Sequence, residues 1–235
     1  MARLPRVVVT QIPHHITQRG TARRFILDRD ADREVYLELL REDMERCKVT
    51  LLGFCLMSNH VHLIMVPGKA DGLALALKHT HGRYASYWNA AHGSSGHVWQ
   101  GRFYSCPLDQ THLWEAMRYT ELNPVRAALV TDAGSWPWSS AAVHCGKTAG
   151  DGFLDMGPWR HHWSADTWRA YLAAGEEQTN LAAIHRCTYT GRPLGTTEFI
   201  RQLEQKTRRR LAVRKGGHPR KLNEDTRQTE LTFSG

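Results

Sequence analysis

The sequence predicts an α+β fold, a central antiparallel sheet with helices packed on it. Three observations lead there. Two apolar runs, residues 51–57 and 61–66, meet at Ser58-Asn59. Each has strand length and ends in turn residues, the pattern of a buried β-hairpin. Stretches with helical spacing flank this hairpin, and further strand-like runs lie at 14–20 and 97–108. The resulting order of strand, helix, hairpin, helix, strand, helix implies an antiparallel sheet covered by helices.

Residues 14–20 (HHITQRG) read as a strand that stops at a glycine turn. Residues 24–27 read as a second, short strand, and the carboxylates from Asp28 to Asp32 suit a helix start. Val35, Leu37, Leu39, Leu40 and Met44 then fall largely on one helical face, which ends near Cys47. After the hairpin, residues 71–91 form another helical segment through Leu73, Leu77, Tyr84 and Trp88, broken by HGSSG at 92–96. HVWQGRFYSCPL at 97–108 reads as a strand that interleaves rings with basic and amide groups. Such a surface suits stacked bases and bound phosphates, although, taken alone, the stretch reads better as an ordinary amphipathic strand. A helix over 109–122 is stopped by Asn123-Pro124, because a residue before proline is pushed out of the α region.

Residues 125–130 and 135–142 read as a packed return segment. Beyond Gly146 the composition turns to Gly, Trp and His. Ser164 caps a helix carrying Trp168, Tyr171 and Leu172, GRPLG at 191–195 is a loop, and Thr196 opens a last helix. These shifts divide the chain into a main domain, 1–145, a helical accessory region, 146–211, and a basic tail, 212–235, expected to be disordered.

Charge points to a partner class. The formal net charge is +8. Eight Lys/Arg and no Asp or Glu lie between Lys206 and Lys221, and without them 23 basic residues face 23 acidic ones. A neutral body with a basic arm points to nucleic acid. Five scattered cysteines without a Cys-x-x-Cys pair suggest neither a disulfide framework nor a thiolate zinc site, which fits a reducing cytoplasm. No stretch has the length of a signal peptide core or a bilayer span.

The chemistry centres on His60 and His62. Residues two apart on a strand share a face, so the two imidazoles stand side by side. Two buried imidazoles need a metal, a hydrogen-bond network or exposure at a site. Tyr119 and Asn123, four apart, share a face of the following helix. Together these residues could hold a divalent cation on His60, His62 and Asn123, leaving positions open for a phosphate oxygen. Tyr119 would attack the phosphodiester and store the bond as a phosphotyrosine. Mixed nitrogen and oxygen ligands suit Mg²⁺ or Mn²⁺. Periodicity alone does not favour Tyr119 over Tyr104, Tyr87 or Tyr84.

A resemblance does favour it. HHITQRG, FCLMSNHVHLIMVP, VWQGRFYS, RYTELNPVRAALV and WPWSS occur in an order and spacing that resemble the REP-associated tyrosine transposases, single-tyrosine HUH transposases of the IS200-like superfamily. The resemblance covers about residues 10–142 and implies a ferredoxin-like HUH fold with His60 and His62 on a middle strand. It implies Tyr119 as nucleophile and Asn123 at a position where some relatives place a glutamine metal ligand. Single-stranded DNA beside palindromic hairpins would be cleaved to a 5′-phosphotyrosine and a 3′-hydroxyl, by a monomer or homodimer in the bacterial cytoplasm and nucleoid. By residue type and placement, DNA contacts fall on Arg19, Arg23, Trp99, Gln100, Arg102 and Arg126, and on Arg208, Arg209, Arg210, Arg214 and Lys215 of the basic arm. Two other readings stand beside it: a domesticated DNA- or RNA-binding protein without catalysis, and a metal-dependent nuclease that uses water.

Overall fold

A computed structural model describes residues 6–175 and 177–212. The sheet has four antiparallel strands in the order β2-β3-β1-β4. These are β1 (His14–Arg19), β2 (Val49–Met57), β3 (His60–Pro67) and β4 (Tyr104–Pro107). Helix α1 (Asp30–Cys47) joins β1 to β2, and α2 (Gly72–Ala91) joins β3 to β4. The hairpin strand β3 therefore lies between β1 and β2 and pairs with both. This is the ferredoxin-like order, and it puts β3 and β1 in the middle of the sheet.

Side chains alternate along each strand, so the sheet has two different faces. Val61, Leu63 and Met65 of β3 and Ile16 of β1 join Tyr36, Leu40, Leu73, Leu77 and Tyr84 in a core beneath α1 and α2. The opposite face carries Leu52, Ile64 and Cys106 and packs on α3 (Gln110–Glu121). Gly53, beside the register shift of β2, is needed here: a Cβ on it would collide with the Met117 thioether of α3. The glycine lets the helix approach the sheet closely, which sets how deep α3 sits.

The region after residue 146 is helical, with α6 (Gly157–His162), α7 (Ala165–Ala173), α8 (Gln178–Thr190) and α9 (Thr197–Thr207) following the one-turn helices α4 (Asn123–Arg126) and α5 (Ala141–His144). It shares a core with the sheet: Trp159, Trp168, Leu172, Ile184, Cys187 and Leu194 pack with Trp114 and Met117 of α3. The Leu194 N–H donates to Pro107 O at 2.9 Å, and the Asp109 N–H donates to Leu194 O at 3.1 Å. The accessory region thus covers the open edge of β4, which would otherwise present unpaired backbone groups.

The structure departs from the expected elements at four places. Residues 24–27 form no strand, because Ala22 and Arg23 take positive φ. Ile26 and Leu27 instead donate their N–H groups to Ser58 O. The strand expected over 97–108 begins only at Tyr104, since Gly101 turns the chain at φ +67°. The chain resumes a helical turn at Asn123 instead of leaving the helix for good. Helix α8 is the fourth departure, having no counterpart in the sequence reading. The tail expected to be disordered lies, from residue 213, outside the described residues.

Candidate active site

The second sheet face is polar at its upper end. Thr17 on β1 stands opposite His62 on β3, and Arg19 opposite His60. Beside them Thr17 also faces Tyr104 of β4. These strands, α3, α4 and α8 enclose a cleft of about 770 Å³. His60, His62, Tyr119 and Asn123 all line it, so the structure brings together the four residues expected to carry the chemistry.

The two histidines are held in defined orientations. His60 Nδ1 lies 2.6 Å from Asn59 Oδ1. An amide oxygen can only accept, so Nδ1 carries the proton and the lone pair of the neutral ring is on Nε2. His62 Nδ1 lies 3.0 Å from His15 Nε2, and His15 Nδ1 lies 2.8 Å from Thr188 Oγ1. The order that leaves a lone pair on His62 Nε2 is donation from His62 to His15 and from His15 to Thr188. Burial, with Arg19 and Arg126 nearby, lowers the His60 pKa to about 4. Burial also pushes His62 well below the ordinary imidazole range, helped by His60 and His15. Both rings are neutral at physiological pH, the form in which imidazole binds a metal.

Tyr119 comes from the last turn of α3 and is only 5% exposed. Its ring meets His62 edge-on at 5.4 Å between centroids and His15 at 5.6 Å. Its hydroxyl lies 3.0 Å from Nε2 of His185 on α8. Pro124 has no N–H, so the Thr120 carbonyl loses the helical donor it would otherwise have. Asn123 replaces that donor: its Nδ2 donates to Thr120 O at 3.2 Å and to Tyr119 O at 3.1 Å. With the amide nitrogen fixed on the helix end, Oδ1 is the remaining polar atom of the side chain. Arg126 Nη2 also donates to Tyr119 O, at 2.6 Å, and its guanidinium lies 4.2 Å from the Tyr119 ring centroid. The Asn-Pro break thus does more than stop the helix. It seats an amide and a cation around the tyrosine.

Among the described residues no group of three or more His, Cys, Asp or Glu side chains is placed to hold a metal. The set available is two neutral imidazoles and one amide oxygen. These fit a divalent cation chemically, because both imidazoles have the Nδ1 atom engaged and Nε2 left as the donor.

The other expected residues divide. Arg19, Arg23 and Gln100 are exposed and line the cleft, as does Arg126. Arg102 is exposed but lies outside the lining. Trp99 is buried and donates its indole N–H to His81 O at 2.9 Å, packed among Tyr36, Tyr84 and His81. It belongs to the core beneath α2 and not to the cleft. Arg208, Arg209 and Arg210 follow α9, where Arg209 Nη1 donates to Arg6 O at 2.9 Å, and none of the three lines the cleft. Arg214 and Lys215 lie outside the described residues. Sequence reasoning missed His15, Thr188, His185 and Tyr189, all of which line the cleft. Only His15, inside HHIT, stood in a segment already singled out.

Residues 8–123 match the model of the family Transposase IS200 like. The chain therefore carries an IS200-like transposase domain over these 116 of its 235 residues. The fold is similar to that of a solved REP-associated tyrosine transposase bound to a REP hairpin, with TM-score 0.54 and 18% identity. That similarity covers 64% of this chain and 93% of the other. A putative transposase from Deinococcus radiodurans R1 is matched at TM-score 0.36 and 17% identity, over 50% of this chain and 95% of that one. No curated protein matches the chain. Among the described residues no helix is long and apolar enough to cross a membrane.

Proposed function

We propose that this chain cleaves and rejoins single-stranded DNA next to a palindromic hairpin, with Tyr119 as the nucleophile. The observation that carries this reading is the shared cleft: the Tyr119 phenol stands beside His62, with Arg126 over its ring. The solved relative holds a REP hairpin, and a hairpin of the same kind is the proposed partner here.

The residues divide the work by position. Arg19 and Arg23, exposed at the mouth of the cleft, are placed to hold phosphates on the strand entering it. Tyr104 and Tyr189 stack on each other at 5.0 Å, nearly parallel, and Tyr189 is 66% exposed. This ring pair offers a surface on which an unpaired base can stack. Arg126 keeps positive charge against the phenol, which favours the phenolate that must develop as Oη attacks phosphorus. Attack forms the Oη–P bond and expels the 3′-oxygen, and reversal by a 3′-hydroxyl rejoins a strand.

His60, His62 and Asn123 would hold a divalent cation, Mg²⁺ or Mn²⁺, which supplies Lewis-acid polarisation of the scissile phosphate. The set contains no carboxylate, so its own charge does not retain the ion, and the DNA phosphate is expected to strengthen binding.

The test is an adduct assay with end-labelled single strands carrying the palindromic repeats that flank its gene. A labelled band at protein mass, lost in Tyr119→Phe and with chelator, supports the proposal. Cleavage without a band would move the nucleophile to water, and binding without cleavage would favour a DNA-binding protein that does no chemistry.

A further inference from the structure

We propose that His185 is a catalytic residue of this reaction, taking the phenolic proton of Tyr119 during cleavage and returning it during joining. The inference rests on the reading of Tyr119 as nucleophile. It concerns α8, which lies beyond residues 8–123 matched by the family model.

The geometry singles out this ring. His185 Nε2 lies 3.0 Å from Tyr119 Oη, with the ring planes near perpendicular at 79°. That is hydrogen-bond reach for proton transfer. The other basic groups near the phenol are committed elsewhere. His15 uses Nδ1 on Thr188 and Nε2 on His62, and His62 uses Nδ1 on His15 and would use Nε2 on the cation. Arg126 is a guanidinium and cannot accept a proton.

Helix α8 is built to hold that ring in place. Ile184 and Cys187 are buried in the core shared with the sheet, Thr188 is buried against His15, and His185 and Tyr189 are exposed on the cleft side. Positions i and i+4 share a helix face, so one side of the helix anchors and the next serves the cleft. Tyr119 is buried and His185 is exposed, so the imidazole connects a sequestered phenol to solvent.

The step balances. As Oη bonds to phosphorus, its proton passes to His185 Nε2 and the P–O3′ bond breaks. The departing 3′-oxygen takes a proton from water, and the imidazolium releases one to water. In joining, His185 first takes a proton back from water; a 3′-hydroxyl then attacks the phosphotyrosine and loses its proton to water, and the imidazolium restores the phenol as the Oη–P bond breaks. A free phenol, with pKa about 10, is a poor nucleophile near neutrality and needs a base within reach.

The experiment is single-turnover formation of the Tyr119 adduct by the full chain. The probe is a labelled hairpin oligonucleotide with single-stranded flanks, supplied with Mn²⁺. His185→Gln keeps a polar side chain and His185→Ala opens a space for added imidazole. Both variants should form adduct at least ~10²-fold more slowly, with unchanged thermal unfolding midpoints, and free imidazole should restore rate to His185→Ala alone. Adduct formation within a few-fold of the parent in both variants would overturn the assignment. So would a loss that imidazole does not restore and that accompanies a lowered unfolding midpoint, since that marks a structural role. Absence of any adduct in the parent chain would overturn the nucleophile reading and this proposal together, which separates the two failures.

Discussion

His15 and His62 lie on neighbouring strands with their rings stacked, 5.2 Å between centroids and 8° between planes, and with His15 Nε2 3.0 Å from His62 Nδ1. The contact is possible because β3 sits between β1 and β2, which brings HHIT alongside HVH. A ring whose Nδ1 is engaged in this way has its tautomer fixed with Nε2 as the donor. His15→Phe, which keeps the ring and removes the acceptor, is therefore expected to weaken Mn²⁺ binding by ~10–100-fold. Electron paramagnetic resonance titration of free Mn²⁺ reads this directly, without any activity. Unchanged affinity would show that His15 does not tune the cation site.

The Tyr104–Tyr189 stack gives a second expectation. If a base stacks on it, Tyr189→Ala should weaken binding of the single-stranded flank by ~1–3 kcal/mol, the usual worth of one base on one ring. Fluorescence anisotropy with a hairpin carrying or lacking the flank separates the effects. Equal losses with both oligonucleotides would contradict a stacking role, because the hairpin itself has no unpaired base to lose.

Beneath the nucleophile helix, Glu121 is wholly buried and accepts from three groups. Ser140 Oγ and His144 Nδ1 each lie 2.5 Å from Oε1, and Trp168 Nε1 donates to Oε2 at 2.8 Å. The carboxylate joins α3, α5 and α7 in one network. Glu121→Ala would strand the His144 and Trp168 donors in the core, while Ser140 Oγ keeps Phe54 O within reach at 3.3 Å, and should cost ~3–5 kcal/mol. Urea unfolding followed by tryptophan fluorescence tests it. A loss under about 1 kcal/mol would mean that water replaces the carboxylate and the network is not a principal tie between these helices.

Acid should destabilise the fold through buried histidines outside the cation site. Burial lowers His14 to about 4 and His81 to about 3 from the ordinary 6.5. Between those values and 6.5 the unfolded chain binds protons that the folded chain refuses. Their contribution is therefore complete above pH 6.5 and is lost as pH falls toward 4. Each such ring adds a slope of about 1.4 kcal/mol per pH unit inside that window. Unfolding midpoints measured from pH 7 to 4 should fall steadily, and His81→Gln should flatten the curve. A flat profile in the parent would contradict it.

How much of this was legible in the sequence varies with how local the cause is. The hairpin, its two histidines and the helix before Asn123-Pro124 were readable because alternation, turn residues and proline act over a few positions. The element order gave only an antiparallel sheet covered by helices; the ferredoxin-like order, with the histidines on a middle strand, came from the family resemblance. Trp99 was misplaced because an aromatic among basic residues looks the same at a surface or in a core, and only the positive φ of Gly101 decides where β4 starts. Helix α8 was not readable as part of the site. Its cleft residues, His185, Thr188 and Tyr189, are ordinary at their local spacing, and they gain meaning only from packing beside β1 and β4. The hydrogen bond from Tyr119 to His185 spans 66 residues, and no local pattern announces it.

The most direct test of the central claim is peptide mapping by mass spectrometry after reaction with a hairpin oligonucleotide and Mn²⁺. Nuclease-trimmed adduct should appear as a nucleotide joined through phosphate to the peptide containing Tyr119, absent in Tyr119→Phe and in chelator. A nucleotide mapped to Tyr104 or another side chain, or cleaved DNA with every tyrosine peptide unmodified, would contradict the account.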